Sequence, residues 1–213
     1  MWFIDAFGRF PHAHVAGGGS IGMDVAILVY DGFDELDAIG PFEVFCSVDG
    51  CSASLVTLDE QTVVTAGHGL RVETDGTLDA ADFDLLVVPG GGWNDRSSRG
   101  AWTEYERGSV PEAITECHDR GVTVASVCTG GMLLAKAGVL DGRPATTHHT
   151  AIDDLRDTAA IVSEQRVVDD GDVITCGGVT SGIDLALHIV EREFGGDVAD
   201  AAARRLEYER RAF

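Results

Sequence analysis

The chain has 213 residues, 45% of them hydrophobic, with 15 basic against 36 acidic side chains and a formal charge of −21. That length suits one domain with a doubly covered sheet and is short for two. No apolar run approaches the ~18 residues of a bilayer span, and so negative a field repels phosphate backbones and anionic lipid, so membranes and nucleic acid are set aside as partners.

Residues 1–22, "MWFIDAFGRFPHAHVAGGGSIG", read as an N-terminal extension ahead of a single domain at 23–213. The extension lacks the basic start and continuous apolar core of a signal peptide. His12 and His14 have no third ligand nearby, and no metal is assigned. From Met23, "MDVAILVY" reads as a buried strand, and "GPFEVFCSV" as a short helix with its proline in the first turn. "SASLVTLD" is a second strand, and "TVVTAGHGLRVETDGTL" a β-hairpin excursion broken by glycine. "FDLLVVPGG" follows as a buried strand, then a loop and a helix near 110–120. "GVTVASV" is the next strand, with a helix from Thr129 to about Ala137. A hairpin of "IVSEQRVVDD" and "GDVITCGG" precedes helices near 181–193 and 197–210. Buried strands alternating with helices predict an α/β three-layer sandwich with a mostly parallel central sheet.

The acidity is spread over many short segments, and Lys136 is the only lysine. At the ~3 Å Debye length of 1 M salt such self-repulsion is tolerable, so a halophilic cytoplasm is expected, an unusually acidic mesophile being the alternative. Five cysteines without paired metal spacing, Cys46, Cys51, Cys117, Cys128 and Cys176, read as free thiols in a reducing, cytoplasmic setting. For Cys46, Cys117 and Cys176 the default is a small buried hydrophobe.

In open parallel sheets, ligands bind beyond the carboxyl ends of the strands. Here those ends deliver 31–37, Gly90 to Gly92, and Cys128 with Thr129. In "SVCTGG" the thiol sits where a strand meets a helix start, whose free N–H groups and dipole favour an anion. Mechanically this is a nucleophile elbow with sulfur in place of oxygen. Read alone, Cys128 is equally a small core residue at a strand end. Asp37, inside the largely apolar "LDAIGPF", reads as an acid with a raised pKa, while Asp31 and Asp34 read as capping or surface acids. The glycines of "VPGGGW" allow backbone N–H groups to approach a developing negative charge.

With those pieces in order, "LDAIGPFEVF", "VVPGGG", "SVCTGGMLLAKAGVLDGRPATTHH" and "GGVTSGIDLAL", the chain resembles the ThiJ/PfpI superfamily, and within it isonitrile hydratase-like members. The resemblance implies a flavodoxin-like fold similar to class I glutamine amidotransferases. It also implies Cys128 as nucleophile, Asp37 as its paired acid, the N–H groups of Gly91 and Thr129 as an oxyanion pocket, and His148 as a second-tier neighbour of the thiol. Thr129 stands where protease-like members have histidine, and "GGVTSGID" lacks the histidine and glutamate of amidotransferases, so peptidase and glutaminase readings are disfavoured. The implied activity is hydration of a small-molecule isonitrile to an N-formamide, with no metal or organic cofactor. The alternatives are a glyoxalase-like enzyme acting on α-oxoaldehydes and a redox or ligand sensor without turnover. Relatives of this kind are dimers, so a homodimer is expected.

Overall fold

A computed structural model describes residues 22–79 and 82–211; the expected extension falls outside this range except for Gly22. In chain order, β1 (Met23–Leu28), α1 (Glu35–Cys46) and β2 (Cys51–Thr57) form a right-handed parallel unit. The hairpin β3 (Val63–Thr65) and β4 (Arg71–Glu73) and the edge strand β5 (Gly76–Thr77) follow, then β6 (Leu85–Val88), α2 (Ala101–Arg107), α3 (Ser109–Asp119) and β7 (Thr123–Ser126). The chain continues through α4 (Gly130–Lys136), β8 (Pro144–Ala145), a 3₁₀ turn (His149–Ala151), α5 (Ile152–Arg156) and β9 (Ile161–Val162). It ends with β10 (Val167–Asp169), β11 (Val173–Cys176), α6 (Ser181–Phe194) and α7 (Gly196–Arg205).

The central sheet runs β10-β11-β7-β6-β1-β2-β5, parallel throughout except for β10, which is antiparallel to β11. Its inner strands β1, β6 and β7 carry fully buried valines, leucines and isoleucines, because helices cover both faces. Helices α1, α6 and α7 pack as one group and α2, α3 and α4 as another. The order of winding reverses between β1 and β6: α1 leads outward to β2, while α2 and α3 lead the opposite way to β7. Right-handed crossovers in opposite directions put the two helix groups on opposite faces and open a crevice where they part. The α/β three-layer expectation is met, and the first hairpin is β3–β4; of the second, only Val167–Asp169 pairs with β11, while Ile161–Val162 forms β9 and pairs in parallel with β8.

Several local readings are corrected. Helix α1 starts at Glu35, well before Gly40, and Pro41 lies in its interior. The start is set by Asp34, whose carboxylate caps the Leu36 N–H at 3.2 Å. The proline is tolerated because its ring packs on α6: a Cβ at Gly182 would lie 3.2 Å from Pro41 Cγ. Helix α2 occupies a stretch that the pattern gives as loop, and α7 stops at Arg205, short of the expected 210. Among the thiols, Cys117 and Cys176 are buried as expected, but Cys46 is exposed because it falls on the outer side of the last turn of α1. All five are free.

Candidate active site

Cys128 ends the extension of β7 at φ +58°, a left-handed conformation that costs an L residue about 1 kcal/mol or more. The elbow is held from three sides. Its N–H donates to the Gly177 carbonyl at 2.9 Å, continuing the β7–β11 ladder. Its carbonyl accepts from Thr147 Oγ1 at 2.8 Å. Below it, Gly130 meets the end of β6 so closely that a Cβ would lie 2.9 Å from the Pro89 carbonyl oxygen and closer still to that of Val88. The Cys128 residue keeps 7% of its surface exposed.

Asp37 is brought opposite by the first turn of α1 and is fully buried. Its Oδ2 accepts from the Gly90 N–H at 3.0 Å, and the Gly90 carbonyl accepts from the Asp34 N–H at 2.8 Å, so the end of β6 is clamped to the start of α1. Asp37 Oδ1 has no hydrogen bond of good geometry. The Cys128 thiol nonetheless acts on the carboxyl as a donor. Contacts between an acid and a nucleophile commonly tighten only when substrate is bound.

Burial first, and then the charge of Asp34, lift the Asp37 carboxyl to about 8, against the lowering pull of the Gly90 N–H, Cys128 and Val179. Burial first, and then the Asp37 charge, push the Cys128 thiol well above its ordinary range, against the N–H groups of Thr129 and Val179. This corrects the expectation of sulfur held ionised by a helix start. Helix α4 has seven residues, and its first N–H groups do not outweigh desolvation. At neutral pH the site rests as a neutral thiol facing a neutral acid.

The expected oxyanion pair also differs. The Gly91 N–H is engaged by Thr129 Oγ1 at 3.0 Å, which leaves the Thr129 hydroxyl proton, polarised by that bond, as the group to offer outward. Sequence reasoning misses Val179, at φ +49°, whose N–H acts on both sulfur and carboxyl. It sits in "GGVTSG", and a positive φ at valine has no local signature. His148, expected as a second-tier neighbour of the thiol, caps the 3₁₀ turn and lies against Gly178, where a Cβ would fall 2.8 Å from His148 Nε2.

Two clefts adjoin residues bonded to the elbow, although Cys128 and Asp37 themselves line neither. One, of about 390 Å3, is lined by Asp34, His68, Gly91, Trp93 and Asn94. The other, about 620 Å3 and more apolar, is lined by Thr147, His148, Ile152, Gly177, Val179 and others. Among the described residues one trio has metal-ligand spacing, Asp34, Glu35 and His68. Its groups are already engaged: Glu35 accepts from the His68 N–H at 2.7 Å and pairs with His68 Nδ1 at 2.7 Å, and Asp34 caps α1.

The profile of the DJ-1/PfpI family matches residues 23–192. The chain belongs to the DJ-1/PfpI family. It is 34% identical over 187 residues to isonitrile hydratase of Pseudomonas putida, spanning 87% of this chain and 78% of that protein. It is 31% identical over 156 residues to a deglycase of Thermococcus kodakarensis, spanning 72% of this chain and 89% of that one. A crystal structure of a ThiJ/PfpI family protein from Pseudomonas syringae superposes with a TM-score of 0.77 at 28% identity, covering 95% of this chain and 85% of that one. Members of the DJ-1/PfpI family thus include proteins named for two different reactions. No helix among the described residues is long and apolar enough to cross a membrane.

Proposed function

We propose that this DJ-1/PfpI protein is a cysteine-dependent hydratase of small isonitriles, R–NC, giving N-formamides. The observation that carries the reading is a strained Cys128 elbow facing a buried carboxyl whose pKa is raised to about 8, a group able to give and take a proton at the operating pH. The S–H bond adds across the terminal carbon: sulfur forms the S–C bond, Asp37 gives its proton to that carbon, and the thiol proton passes to Asp37. The product is a thioimidate, R–N=CH–S–Cys128. Water then attacks the same carbon, its proton passing through Asp37 to nitrogen. Collapse of the adduct breaks the C–S bond, moves the hydroxyl proton through Asp37 to sulfur and releases R–NH–CHO. The balance is one isonitrile and one water consumed, one formamide formed. Thr129 Oγ–H is the donor for the developing oxygen charge. A homodimer and a halophilic cytoplasm belong to the same proposal.

The 31% identity to a deglycase supports a second reading, in which Cys128 adds to an α-oxoaldehyde as a hemithioacetal and Asp37 moves protons within it. Incubation with an alkyl isonitrile and with methylglyoxal, followed by NMR of the products, tests both. Formamide formation that vanishes in Cys128→Ala is expected. Hydroxyacid alone favours the second reading. Stoichiometric peroxide oxidation of Cys128 with no turnover of either compound overturns both and favours a sensor.

A further inference from the structure

His148 is held by a hydrogen-bonded chain that starts across the site. Asn94 Nδ2 donates to Thr150 Oγ1 at 2.6 Å, and Thr150 Oγ1 lies 2.7 Å from His148 Nδ1. The Thr150 backbone N–H also reaches His148 Nδ1, at 3.3 Å. The direction of this chain follows from the one group that cannot be reversed. A backbone N–H only donates, so His148 Nδ1 is an acceptor, the Thr150 hydroxyl proton points to it, and the hydroxyl lone pairs are left for Asn94. The ring proton therefore sits on Nε2, the edge that lies against Gly178 in the larger cleft. Three other walls of that cleft touch Cys128: Gly177 and Thr147 hold its main chain, through a carbonyl and a hydroxyl, and the Val179 N–H acts on its sulfur.

We propose that Thr150 and Asn94 are positioning residues that lock His148 in its Nε2–H form, making it a fixed hydrogen-bond donor that reads an acceptor oxygen on the organic group of the substrate. The inference rests on the hydratase reading and narrows it. The cleft of about 620 Å3 takes the R group, and isonitriles carrying an ether or carbonyl oxygen are preferred to alkyl ones of equal size. It also removes His148 as a base for Cys128, because the only lone pair of the neutral ring is spent on Thr150. The charged and titratable groups around the ring are His149, with ring centroids 4.2 Å apart, Asp34, and Glu164 and Arg166 on the cleft wall. Burial, then His149, disfavour the imidazolium, and Asp34 opposes them weakly.

The test has two arms. In the first, 15N NMR of the imidazole rings, assigned with His148→Phe, is recorded from pH 6 to 8. The Nε2–H pattern is expected in the wild type, a measurable admixture of Nδ1–H in Thr150→Val, which keeps only the backbone donor at 3.3 Å, and restoration in Thr150→Ser. An Nδ1–H ring in the wild type, or a Thr150→Val spectrum identical to it, overturns the lock. In the second arm, kcat/KM is compared for an alkyl isonitrile and an ether-bearing one of equal size. A ~5- to 10-fold preference for the ether is expected, the worth of one hydrogen bond, carried by KM and lost in His148→Phe and Thr150→Val. Equal rates in the wild type overturn the donor role. Failure of both isonitriles overturns the hydratase reading, and the ring spectra then decide the lock without it. Thr150 is exposed, so its variants fold as the parent does.

Discussion

Replacing Asp37 by asparagine is expected to stabilise the fold in a pH-dependent way while destroying the chemistry. The carboxyl is raised from an ordinary 3.8 to about 8 by burial and the Asp34 charge. The folded state therefore prefers the protonated acid, so the group costs nothing below pH 3.8 and its penalty grows as pH rises toward 8. Each pH unit in that window costs on the order of 1 kcal/mol, and the penalty levels off above pH 8 at on the order of 5 kcal/mol. The amide of the variant cannot ionise, and its carbonyl keeps the Gly90 N–H bond now made at 3.0 Å. Any unsatisfied amide proton adds a cost that does not vary with pH. The assay is urea unfolding of both proteins at constant high KCl between pH 4 and 8. The difference in stability, variant minus wild type, is expected to climb by roughly 1 kcal/mol per pH unit across this range. Parallel curves would refute the buried neutral acid, and a difference falling with pH would mean that Asp37 is an ionised partner.

Cys128→Ala is expected to abolish turnover and Asp37→Asn to lower kcat by about 10²- to 10⁴-fold, measured as product formed by NMR. Iodoacetamide alkylation of Cys128 followed against pH should show no fast plateau between pH 5 and 7, since burial and Asp37 push the thiol up. Gly90→Ala should destabilise by several kcal/mol in thermal or urea unfolding, because the new Cβ would lie 2.5 Å from the Thr129 backbone nitrogen and closer to its hydroxyl. The unfolding midpoint should rise steeply with KCl from 0.1 to 2 M, as the Debye length falls from ~10 Å to under ~3 Å and screens a net charge of −21; a flat response would remove the halophile proposal. Arg166→Ala should cost about 3 kcal/mol in urea unfolding, since it strips the Nε donor, at 2.5 Å, from the buried carboxylate of Asp184, which keeps Tyr208 Oη–H at 3.0 Å.

The parts of the fold legible in the sequence are those written in short-range pattern. The apolar runs of β1, β6 and β7 announce buried parallel strands, and the residues after them converge because the winding reverses between β1 and β6. Cys128 and Asp37 are legible for that reason. Pro41 misleads, since a proline marks a helix start only until a tertiary contact, here Gly182 beneath its ring, supplies what the missing backbone bond does not. The charge state of the thiol misleads too. A helix start is visible in sequence, but the desolvation that outweighs it depends on packing from β11 and α1, which no local motif records. Val179, the capture of the Gly91 N–H by Thr129 and the chain from Asn94 to His148 join segments tens of residues apart, so spacing could not reveal them.

The crossing of the Pro89–Gly90 peptides over Thr129 and Gly130 leaves no room for a methyl on either strand of the crossing. The separation of acid and sulfur is thus gauged by main chain, which substitutions away from Gly90 and Gly130 leave in place. Residues around the larger cleft can then be exchanged to admit new molecules while the reactive couple keeps its calibration. A scaffold built this way can diversify its substrates at little risk to its chemistry.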